Sequence, residues 1–67
     1  MRNEVGKLIK KALIDRGMTQ LELAQRTGIS YNYLSLIVRG VRAPGKYAAA
    51  LAQELGIEEE ALRRAAS

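Results

Sequence analysis

The sequence predicts an all-α fold of five short helices, and three observations lead there. Apolar residues recur at three- and four-residue spacing, and no alternating run signals a strand. Glycines follow the periodic segments, at Gly17, Gly28, Gly40 and Gly56, where a left-handed cap ends a helix. The single proline, Pro44, stands between periodic segments rather than inside one.

The first helix is expected from about Glu4 to Arg16, with Val5, Leu8, Ile9, Ala12 and Leu13 on one face and Gly17 as its stop. The second opens at Thr19. In "TQLE" the Thr19 hydroxyl can accept from the Glu22 N–H while Glu22 reaches back, a capping box. Leu21, Leu23 and Ala24 are expected on its buried side, and Gly28 ends it. A third helix follows at once, with Ser30 as N-cap, Leu34, Ile37 and Val38 facing inward, and Gly40 closing it. "VRAPG" reads as a turn, because Pro44 forbids helix continuation. The fourth helix should cover Lys46 to Leu55, stacking Tyr47, Leu51 and Leu55, and Gly56 stops it. "IEEEALRRAA" reads as a last helix with glutamates in its first turn and arginines in its last, which suits the helix dipole.

The chain has 67 residues, so residues 1–67 are expected to form one domain. A domain of this size buries only about 60% of its unfolded surface and needs an efficient core. There is no Cys and no His, which removes disulfides, thiolate metal sites, the usual general base and the commonest metal ligand. No apolar run approaches the roughly 20 residues that span a bilayer. "MRNEVGKLIKK" lacks the apolar block of a signal peptide, so a cytoplasmic protein is the expectation. Charge is uneven. Residues 1–46 carry nine Lys/Arg against three Asp/Glu, and residues 47–67 carry two against four. A basic body with an acidic end fits a polyanion approached from one side. Charge alone does not choose between that reading and a solvated surface.

A helix ending at Gly28 and another beginning at Ser30 must cross steeply, and Ala24 is small enough to let the backbones approach. Leu23, Ala24, Gly28, Ile29, Leu34 and Ile37 have the spacing of a helix-turn-helix at about residues 20–38. Gly17, Thr19-Gln20, Leu23-Ala24, Gly28-Ile29-Ser30, Leu34, Ile37, Gly40, Pro44 and Leu55-Gly56-Ile57 together resemble the phage repressor and Cro helix-turn-helix (Xre-like) family. The match covers nearly the whole chain. It implies a compact five-helix, lambda-repressor-like DNA-binding domain whose third helix lies in the major groove of double-stranded DNA. On that resemblance Tyr31, Asn32, Ser35 and Leu36 would face base edges. Asn can pair bidentately with adenine, and Leu36 can touch a thymine methyl. Gln20, Arg39, Arg42 and Lys46 would hold phosphates, with Tyr33 as a phosphate contact or a packing residue. Lys7, Lys10 and Lys11 read as a solvated face, and Tyr47 as core or interface. No catalytic residue, metal or cofactor is expected.

The sequence departs from the family pattern at three places. The family often buries an arginine late in helix 1 against a glutamate late in helix 3. The matching positions here are Leu13 and Val38, so both partners have become apolar together. Relatives usually have a polar residue where Leu36 stands. The segment after Gly40 is about one residue short.

The favoured reading is a sequence-specific regulator, a repressor by expectation, encoded by a bacterium or phage. It would bind a palindromic operator as a weak homodimer assembled on DNA, with Leu62 or the corner at Ile57 as the dimer surface. The second reading is a protein-interaction module, such as an anti-repressor, that kept the fold without DNA reading. RNA binding is more distant, because no aromatic platform on a sheet is evident. An enzyme is not expected from a chain with no His, no Cys and a single Asp.

Overall fold

Four of the five helices have eight residues, below the roughly 12–15 at which an isolated helix becomes marginally stable. Tertiary packing must therefore hold them. The computed structural model describes residues 4–66. In order these form α1 (Glu4–Arg16), α2 (Gln20–Thr27), α3 (Tyr31–Val38), a 3₁₀ turn (Gly45–Tyr47), α4 (Ala48–Leu55) and α5 (Glu59–Ala66). Among the described residues there is no strand.

One apolar cluster draws on all five helices. Ile9, Leu23, Leu34, Ile37, Leu51 and Leu62 are wholly enclosed. α1 packs on α3, α4 and α5, while α2 packs on α3 and α4, so α1 and α4 form the frame that holds the α2–α3 pair. No buried side chain among the described residues is polar. Leu13 and Val38 both belong to this cluster, at 7% and 3% exposure, where α1 meets α3.

Four expectations need correction. Leu21 is 53% exposed rather than buried. Leu23 and Ala24 define the inward side of α2, and a residue two positions before Leu23 points about 200° away from it. Leu62 is enclosed at 0% exposure and cannot form a dimer surface. The fourth helix begins two residues later than expected, because Lys46 and Tyr47 belong to the 3₁₀ turn, where the Tyr47 N–H donates to the Pro44 carbonyl at 2.9 Å. Glu58 likewise precedes α5, leaving Glu59 and Glu60 in its first turn.

The start of α2 is fixed by the expected capping box. The Glu22 N–H donates to Thr19 Oγ1 at 3.1 Å, and the Thr19 N–H donates to Glu22 Oε1 at 2.9 Å. The Thr19 N–H, aided by its side chain, holds the Glu22 carboxyl below its ordinary value. Stability from the ionised box is therefore complete above the ordinary carboxylate range. It is lost as pH falls through the lowered native value. Glu22→Gln keeps an acceptor but cannot titrate. Thermal melts should show wild type above Glu22→Gln at neutral pH, with the gap closing in acid. A gap that widened in acid would contradict this linkage. Thr19→Ala should cost about 1 kcal/mol at neutral pH.

Candidate nucleic-acid interface

The turn between α2 and α3 is built from one residue type in one conformation. Gly28 sits at φ +77°, in the left-handed region, and its N–H donates to the Ala24 carbonyl at 3.0 Å. A Cβ added there would meet no atom within 4 Å, so the demand for glycine comes from the backbone rather than from crowding. The chain then leads straight into Ile29, which is buried at 4%, and Ser30, whose hydroxyl accepts from the Tyr33 N–H at 3.1 Å. Ala24 is buried on α2, which packs against α3. Two short helices are thus held at a sharp turn, with Leu34, Ile37 and Val38 facing the core.

The opposite side of α3 divides into two parts. Tyr31 and Asn32, in its first turn, are exposed. Ser35 and Leu36, one turn further on, are half-buried. Beyond Gly40 the chain turns back against this end of the helix. The N–H groups of Val41 and Arg42 both donate to the Leu36 carbonyl, at 2.9 and 3.2 Å. Val41, at 58% exposure, joins this surface although nothing in the sequence marked it.

Gln20, the first residue of α2, is half-buried, and its Nε2 donates to Ser35 Oγ at 2.8 Å. This bond ties the start of α2 to the middle of α3. Tyr33 leans inward, packed on the core and edge-on to Tyr47, with ring centroids 5.5 Å apart at 65°. Its packing role is the one visible. Lys46 Nζ lies 5.4 Å from the Tyr47 ring centroid, a cation–π distance, so the aromatic pair also steadies that lysine.

Arg39 caps α3, Arg42 lies in the turn after it, and Lys46 lies in the 3₁₀ turn; all three are exposed. None has an ion-pair partner among the described residues. No Asp or Glu occurs between Glu22 and Glu54. The surface at the end of α3 is therefore positive, with Glu4 of α1 lining the same small cavity as Arg42. No cluster of metal-ligating side chains is found among the described residues, and no helix there is long and apolar enough to cross a membrane.

Two helices joined by a tight glycine turn, with a polar helix start and a cationic rim, define a helix-turn-helix. The family model described as Helix-turn-helix matches residues 9–62, and the chain belongs to this Cro/C1-type, Xre-like family. It is a DNA-binding regulator of the Cro/C1 kind, and its partner is double-stranded DNA. The family is a regulatory rather than an enzymatic one. No curated protein and no solved structure gives a significant match.

Proposed function

We propose that residues 1–67 act as one sequence-specific DNA-binding unit, a cytoplasmic transcriptional repressor of bacterial or phage origin. α3 enters the major groove with Tyr31 and Asn32 at base edges, and Ser35 and Leu36 deeper against the groove wall. Arg39, Arg42 and Lys46 take phosphates, with Gln20 at the opposite flank. Tyr33 supports Lys46 through Tyr47 rather than meeting phosphate itself. The observation that carries this reading is the juxtaposition of an exposed Asn32 with three cations, at the other end of the same helix and its following turns, that have no ion-pair partner among the described residues. Phosphate contacts set register, and base-edge contacts set sequence. Two copies would occupy the half-sites of a palindrome about one helical turn apart, assembling as a weak homodimer on DNA.

The test begins with selection of bound sites from a random duplex library. A palindromic consensus is expected. Asn32→Ala should then cost about 1–3 kcal/mol on the best site and relax preference at one base position. Titrations against the consensus and its single-base variants read both effects. Unchanged specificity in Asn32→Ala, or no duplex binding by the wild type at low salt, would remove α3 as the reading element.

A further inference from the structure

Between α1 and α5 lies a shallow, open groove of about 580 Å³ that shares no residue with the proposed DNA face. α1 contributes one stripe at helical spacing, Glu4, Lys7, Leu8 and Lys11, and α5 contributes Ala61, Arg64 and Ala65. Leu8, Ala61 and Ala65 are only half-buried, so the apolar floor is left partly uncovered. Lys7 and Lys11 stand one turn apart on the rim, exposed, with no ion-pair partner among the described residues. On α5, Glu59 is committed to Arg63 at 2.6 Å and does not answer them.

We infer that this groove docks an acidic amphipathic helix of another protein. Two roughly adjacent helices with a valley between them accept a third helix along that valley, anchored at i, i+3 or i+4, and i+7. The occupant would set small apolar residues on Leu8, Ala61 and Ala65 and carboxylates beside Lys7 and Lys11. Charge decides against the two other occupants. The groove carries Lys7, Lys11 and Arg64 against the one carboxylate of Glu4, so a two-fold pairing with its copy would set two surfaces of net positive charge face to face. DNA phosphates would satisfy the lysines but offer nothing to the apolar floor. A helix carrying both features satisfies both. This inference is independent of base reading by α3.

The probe is a synthetic helical peptide of about 14 residues, roughly four turns, with Leu and Ala on one stripe and Glu flanking it. A scrambled peptide of identical composition is the control. Titration into the isotope-labelled protein, followed by backbone NMR, should shift residues around Leu8, Ala61 and Ala65. The scrambled peptide should bind at least about ten-fold more weakly. Lys7→Glu/Lys11→Glu should weaken the designed peptide by about ten-fold. Ala61→Met, which fills the groove without changing charge, should also weaken it, with both variants melting like the wild type. Equal binding of the scrambled peptide, or shifts centred on α3, would overturn the inference. Self-association abolished by Ala61→Met would assign the groove to a second copy. Duplex DNA shifting Lys7 and Lys11 more strongly than the peptide would assign it to nucleic acid. Either result would also overturn it.

Discussion

Val38→Glu will destabilise the protein by about 3–5 kcal/mol, the cost of stranding a buried carboxylate without a partner. Val38 is 3% exposed, lies in the cluster where α1 meets α3, and has no buried polar side chain near it to accept or neutralise a charge. A small domain has only about 5–15 kcal/mol in hand, so this one substitution removes a large share. Leu13→Arg at the facing helix should also destabilise, less severely, because a long arginine can carry its head to water along an apolar stem. The double variant Leu13→Arg/Val38→Glu should be more stable than the sum of the singles allows, by at least about 1 kcal/mol of coupling. It should still fall short of the wild type, since a well-packed apolar pair commonly matches or exceeds a buried ion pair. Denaturant melts of the four proteins measure the cycle. Additive singles, or a Val38→Glu protein that melts like the wild type, would show that positions 13 and 38 do not share one environment.

The helices were legible because their signals are local. Apolar spacing placed α1, and the box at Thr19 and Glu22 placed α2 to the residue. Ser30 and Gly28 marked the turn. What failed depends on direction around a helix or on packing between distant segments. Leu21 is apolar, yet the angle set by Leu23 and Ala24 turns it to solvent. Leu62 looked available on a short amphipathic end, but α1 and α4 close over it. At the interface, the exposure of Tyr31 and Asn32 follows from helix periodicity. The Gln20–Ser35 bond and the Tyr33–Tyr47 edge contact do not, because each joins elements whose relative placement no spacing encodes. Those two interactions are what turn a row of polar residues into a braced surface, with the start of α2 tied to α3 and the lysine of the 3₁₀ turn held on an aromatic ring.

Affinity for the selected operator will fall by about a thousand-fold between 50 and 200 mM salt. Each copy presents Arg39, Arg42 and Lys46 as exposed cations with no ion-pair partner among the described residues. Two copies on two half-sites would release counterions from roughly six phosphates, a log–log slope near −5. One copy on one half-site would give about half that slope, so the measurement also reports stoichiometry. Arg42→Ala should weaken all sequences alike and flatten the slope by roughly 0.9 for each phosphate left without its arginine, about twice that for the pair. Asn32→Ala should lower affinity on the best site and leave the slope unchanged, because a neutral amide at a base edge displaces no counterion. Lys7→Glu/Lys11→Glu should leave the slope nearly intact as well if those lysines lie outside the DNA track. Fluorescence titrations at four or more salt concentrations resolve these cases. A wild-type slope of about −1 or shallower would mean that the cations at the end of α3 do not meet phosphate. A slope flattened by the Lys7/Lys11 reversal but not by Arg42→Ala would move the DNA to the α1 face and leave α3 without its proposed role.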